Sequence, residues 1–208
     1  IALRIVIERI GGVEVRQRAF LRSPGERPHL GEAAPTFSLS HSGGLALLGV
    51  ARSPIGVDLE AHRHLKMSSR RQQEILAIGA GLAQSLTQSL TQSLTRDGTG
   101  EAPVLQAWCR LEAYAKATGR GLAHILAALG LRQGSGRQLE PSEIEARARA
   151  LAHAGGVAVR DLKLPAGLFG AVACGSARSF TRVRLFPTEG AAIQRLFEPP
   201  PRVTSGGR

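Results

Sequence analysis

Residues 37–60 read FSLSHSGGLALLGVARSPIGVDLE. Short apolar or alternating runs between turn residues predict strands, here over 37–40, 45–52 and 55–60. The first two join across HSGG, and the third follows the Ser53-Pro54 step. Three short strands in succession predict an antiparallel meander. Side chains alternate along a strand, so Val57 and Leu59 point to one face and Asp58 and Glu60 to the other. The two carboxylates then stand about 6.6 Å apart along the strand. Like charges held that close need a solvent outlet or a cation. Oxygen-only ligands suit a hard cation such as Mg2+. The commoner reading of such a strand is a solvated outer face. His41, at the turn, reads equally as a turn cap or as a functional group.

Ahead of this stretch, residues 1–10 (IALRIVIERI) read as a short helix stopped by Gly11-Gly12, with strand as the competing reading. Residues 13–21 read as a strand, and SPGERPHLGEAAP at 23–35 as a loop. Arg27 precedes Pro28 and is held extended; by itself it reads as a solvated loop cation. Behind the stretch, 68–80 read as a serine-capped helix. Residues 84–95 are three copies of QSLT, a period too short for a solenoid. They read as a connector, or as a helix with Leu86, Leu90 and Leu94 on one stripe. The expected organisation is an N-terminal half over 1–80, a connector over 81–103, a C-terminal half over 104–190 and a tail over 191–208 that is disordered at its end, EPPPRVTSGGR.

In the second half, 104–118 (VLQAWCRLEAYAKAT) predict a helix ended by Gly119. Trp108, Glu112 and Lys116 recur at i, i+4 and i+8 and share one stripe. An exposed Glu-Lys pair is the simpler reading, but Trp108 on that stripe argues for a partly buried face and makes Glu112 a candidate for chemistry. Residues 122–131 and 141–154 predict further helices, and 157–164, 168–175 and 181–186 predict strands.

The net charge of +11, mostly arginine, favours a polyanionic partner: nucleic acid, a phosphorylated ligand, an anionic membrane or an acidic protein. No helix-turn-helix, zinc-finger or aromatic RNA-binding signature is visible, so nucleic-acid binding would rest on charge alone. No apolar run approaches a membrane span. Cys109 and Cys174 have neither metal-ligand spacing nor the density of a disulfide scaffold, so a reduced cytoplasmic protein is expected.

With FSLSHS, IGVDLE and WCRLEAYAKATGRGL in that order, the chain resembles the 4′-phosphopantetheinyl transferases of the larger, surfactin-synthetase-activating type. That family carries F-x-x-S-H, G-x-D-x-E and W-x-x-K-E-A-x-x-K-x-x-G-x-G-L. The likeness covers residues 25–60 and 108–122, and LPAGLFGAVA over 164–173 more loosely. It implies an α+β fold of two pseudo-two-fold halves, each with a small antiparallel sheet and helices, in a monomer that imitates a dimer. It implies transfer of the phosphopantetheine arm of coenzyme A to a serine of an apo acyl or peptidyl carrier protein. Asp58, Glu60 and Glu112 match the family's Mg2+ ligands, with Glu112 also the candidate base, directly or through a metal-held water. Lys116 matches the lysine that neutralises phosphate charge. Ser40, His41 and Arg27 match coenzyme A contacts. Carrier proteins of this class are acidic and coenzyme A is polyphosphorylated, which suits a basic enzyme. The resemblance leaves open whether the carrier serves fatty-acid, polyketide or nonribosomal-peptide synthesis. Two departures stand out: Leu111 replaces the lysine before the catalytic glutamate, and less sequence precedes Phe37 than the family usually has, as if the first half lacked its start. A non-catalytic coenzyme-A-binding relative is the alternative these departures allow.

Overall fold

The structure is a computed structural model describing residues 2–12, 14–22, 28–31, 34–83, 100–131 and 138–175. Its first element is a helix, α1 (Ala2–Gly11). Four β-branched residues, Ile5, Val6, Ile7 and Ile10, cost it up to about 0.7 kcal/mol each in propensity. Burial of Ile5 and Ile7 outweighs this, at about 1.5–3 kcal/mol for each such side chain. Gly12, at φ +66°, ends the helix and donates its N–H to Glu8 O. The strand expected over 13–21 does not form. Val15 is fully buried, and its N–H goes to the Glu8 carboxylate at 3.1 Å rather than to a neighbouring strand. In this region a single bridge, Leu21 to His29, is seen among the described residues.

The expected hairpin is present as β1 (Thr36–Ser42) and β2 (Leu45–Ala51), antiparallel with Phe37 opposite Val50 and Ser40 opposite Leu47. Gly43 and Gly44, at φ +58° and +79°, supply the two left-handed residues that a tight hairpin turn demands. One face carries Phe37, Leu48 and Val50, which pack with Ile7, Val15, Leu30 and Phe20. The other face carries the serines.

The third strand, β3 (Ile55–Ala61), leaves the expected meander. It pairs antiparallel with β5 (Leu168–Cys174), which pairs with β4 (Ala158–Asp161), giving the order β3-β5-β4. One sheet therefore takes a strand from before residues 81–103 and two from after them. Among the described residues this sheet is shared between the two expected halves. Both faces of β3 are covered, which fits a strand buried from Ile55 through Leu59. The strand expected over 181–186 lies outside the described residues.

Five helices occur among the described residues. Besides α1 they are α2 (Ser69–Leu82), α3 (Glu101–Thr118), α4 (Leu122–Ala128) and α5 (Pro141–Ala154). Ser68 caps α2 as expected, accepting the N–H of Arg71. Gly119 at φ +68° closes α3. Helix α3 begins inside the expected connector, because Pro103 falls in its first turn, where a missing N–H costs nothing. Residues 84–99, including the QSLT copies, lie outside the described residues, as does the tail over 191–208.

The main core forms around α3, with Leu105, Leu111 and Tyr114 meeting Ile75 and Ile78 of α2 and Ile144 of α5. Gly56 lets α3 lie directly on β3: a Cβ there would stand 2.0 Å from Ala113 O. A buried polar cluster also ties α3 to the sheet. Arg110 forks onto Asp161 at 2.7 and 2.6 Å, and Gln106 donates to Asp161 and to Gly170 O. Among the described residues no helix is long and apolar enough to cross a membrane. The described residues thus form a mixed α and β fold with two small antiparallel sheets.

Candidate active site

Three segments far apart in sequence meet at Asp58. Strand β3 brings Asp58, which is 5% exposed. Its Oδ1 accepts from Ser40 Oγ of β1 at 2.8 Å and from Lys116 Nζ of α3 at 2.7 Å. Its Oδ2 is buried and has no hydrogen-bond partner among the described residues. An unpaired buried carboxylate oxygen is costly, on the order of 1–3 kcal/mol or more. Such an atom invites a ligand.

Glu60 follows on the same face of β3, with less burial. Both its oxygens face Arg63, at 3.3 Å each, and Ser42 Oγ stands 3.4 Å from Oε2. Glu112 comes from α3, one turn before Lys116. Burial pushes its carboxyl up from the usual carboxylate range, the negative charges of Asp58 and Glu60 push it the same way, and Lys116 opposes them. Cys109, one turn earlier still, is completely buried. Its thiol is driven strongly up, first by burial and then by the charges of Asp58 and Glu60.

Glu112 and Lys116 line a cleft of about 510 Å3. Its lining also includes the apolar Leu3, Phe20, Phe37 and Leu39, and Arg120 between Gly119 and Gly121. The cleft therefore combines apolar side chains with the cations Lys116 and Arg120 and the carboxyl of Glu112.

The sequence-predicted residues fall into three groups. Ser40, Asp58 and Lys116 are in direct contact, and Glu60 and Glu112 stand within electrostatic reach. His41 is separate: it alternates with Ser40 on β1 and shares the face of Phe37 and Leu39, exposed and outside the lining of the cleft. Arg27 lies outside the described residues. Sequence reasoning missed Arg63, whose signal is a cation three residues after Glu60. It also missed Ser42, whose signal is the serine at every second position of β1, and Arg120, flanked by two glycines.

Among the described residues no group of three or more His, Cys, Asp and Glu side chains is gathered to hold a metal ion. Lys116 takes one oxygen of Asp58, and Arg63 faces both of Glu60. The donor chemistry nevertheless suits a hard cation, because every candidate ligand is a carboxylate and Asp58 Oδ2 has no hydrogen-bond partner among the described residues. Leu111, at the position of the family lysine, is fully buried in the core, whereas Arg110 points to Asp161. No family model matches the chain, and no curated protein matches it.

Proposed function

We propose that this chain transfers the phosphopantetheine arm of coenzyme A to a serine of an acidic acyl or peptidyl carrier protein in the reducing cytoplasm. The observation that carries the reading is the convergence on Asp58: Ser40, Asp58 and Lys116, each from a different resemblance-bearing segment, form one hydrogen-bonded group beside the cleft. The mixed α and β arrangement agrees with an α+β class; the pseudo-two-fold fold of that family belongs to the proposal.

In the proposed reaction the serine oxygen forms a bond to the β-phosphorus of the coenzyme. The phosphoanhydride bond breaks, and adenosine 3′,5′-bisphosphate leaves with the electron pair. Positioning and charge stabilisation do most of the work in such transfers. Asp58, Glu60 and Glu112 are the residues that would hold Mg2+, which supplies charge neutralisation on the pyrophosphate. Lys116 lies at the cleft wall and presents its ammonium to phosphoryl oxygens. Glu112, whose carboxyl holds a proton more firmly than an exposed glutamate does, accepts the proton of the serine hydroxyl. The apolar lining receives the uncharged part of the coenzyme, and Arg120 adds a further cation to the cleft.

Buried Leu111 favours a second reading, a non-catalytic coenzyme A binder. Intact-mass spectrometry of apo carrier proteins, incubated with this protein, coenzyme A and Mg2+, separates the two. A gain of one phosphopantetheine that disappears with EDTA is expected. Coenzyme A binding without any mass gain, across several carriers, favours the second reading.

A further inference from the structure

Three serines occupy alternate positions of β1, and each hydroxyl oxygen accepts a backbone N–H of β3. Ser38 accepts from Val57 at 3.0 Å, Ser40 from Leu59 at 3.2 Å and Ser42 from Ala61 at 2.9 Å. Side chains thus satisfy the edge of β3 that faces β1, where a backbone ladder is absent. Each hydroxyl still has a single proton to give. Ser40 gives it to Asp58 Oδ1 at 2.8 Å, and Ser42 makes a longer contact with Glu60 at 3.4 Å. The matching position beside Ser38 is Gly56, which offers no acceptor side chain.

Ser40 is 7% exposed, so its hydroxyl is enclosed with its partners. Lys116 approaches the same Asp58 oxygen from α3. With Oδ1 held from two elements, the carboxylate cannot rotate without breaking a charge-assisted bond. Its other oxygen, Oδ2, has no hydrogen-bond partner among the described residues.

We propose that Ser40 is a positioning residue: by holding Oδ1 of Asp58 it keeps Oδ2 presented to a hard divalent cation. The identity of the ion rests on the transferase reading. The role of Ser40 goes beyond that reading, which makes it a coenzyme phosphate contact.

The test uses Mn2+ alone as the probe, titrated against the full chain and followed by the electron paramagnetic resonance signal of the free ion. Removal of a residue that orients a metal ligand costs about 10-fold or more in metal affinity. Ser40→Ala is expected to weaken Mn2+ binding about 10-fold, and Ser40→Thr, which keeps the hydroxyl, to restore it. Ser38→Ala loses a β3 acceptor but no carboxylate contact, and is expected to keep wild-type Mn2+ affinity. Wild-type affinity in folded Ser40→Ala overturns the role of Ser40 and leaves the transferase reading standing. An equal loss in Ser38→Ala overturns it too, because the damage then belongs to the strand contact. Should Ser40→Ala fail to fold, Ser40→Cys keeps the volume with a weak donor; the same loss is expected there, and wild-type affinity overturns the proposal. If the wild type binds no Mn2+, or Asp58→Asn binds it equally well, the metal site itself falls, and the proposal with it.

Discussion

The two oxygens of Asp58 are in different situations, and the contrast makes it the most informative position to change. Asp58→Asn keeps the volume and one oxygen while removing the charge. Carrier modification is expected to fall by about 10²–10³-fold, the cost of losing one electrostatic stabiliser. Circular dichroism should show the fold intact, and retained modification would remove Asp58 from the metal site. Glu112 makes a prediction in pH. Its carboxyl is raised by burial, so the folded chain holds that proton more tightly than the unfolded chain. Its contribution to stability is therefore fully present below the ordinary glutamate range and is lost as pH rises through the raised value. Glu112→Gln escapes this loss. Its melting temperature should exceed that of the wild type increasingly with pH, with little difference in acid. The carboxyl is partly exposed, so solvent screening keeps the gain small, at or below the about 2–4 °C that 1 kcal/mol produces in a chain of this size. At this scale the sequence was partly legible. Alternation put Asp58 and Glu60 on one face, and the helical period put Glu112 and Lys116 on one stripe. Which atom Lys116 reaches was not legible, because its partner is 58 positions away and depends on how α3 lies on β3.

Among the elements, α3 carries most of the organisation. It supplies Cys109, Glu112 and Lys116 on the side of β3, and it is anchored elsewhere by Arg110 on Asp161, two side chains only 5% and 7% exposed. Breaking a buried pair from one side strands a charge, at about 3–5 kcal/mol. Asp161→Ala should lose that much in urea unfolding, whereas replacing Arg110 and Asp161 together by apolar residues should cost clearly less. Equal losses from the single and double variants would mean that α3 is held by its apolar contacts alone. Helices were the legible elements: the Ser68 cap, the Gly119 stop and the apolar spacing each act locally. Strand partners were not. The serines of β1 occupy the β3 edge that a meander would have paired, and β5 takes the other. Nothing within residues 37–60 states that choice, since half of it is made by residues 168–174.

For the molecule as a whole, the excess of 27 lysines and arginines over 16 acidic residues shapes encounters before any contact is made. Attraction between a basic protein and an acidic carrier is long-ranged and screened by salt. The kcat/KM for an acidic carrier should fall by about 10-fold or more from low to high ionic strength, while that for a carrier with its acidic residues neutralised should change little; equal salt dependence would remove charge steering. The pairing of β3 with β5 has another outcome. Seven residue pairs, from Ile55 with Cys174 to Ala61 with Leu168, join a strand that precedes residues 84–99 to one that follows them. A polypeptide severed within 84–99 yields two pieces, one with Asp58 and the other with Glu112 and Lys116. Neither piece holds the hydrogen-bonded group of Ser40, Asp58 and Lys116 alone, and the strand pairing is what would reunite them. Co-expressed, the pieces should regain carrier modification that each lacks singly, so that catalysis itself becomes the reporter of fragment complementation.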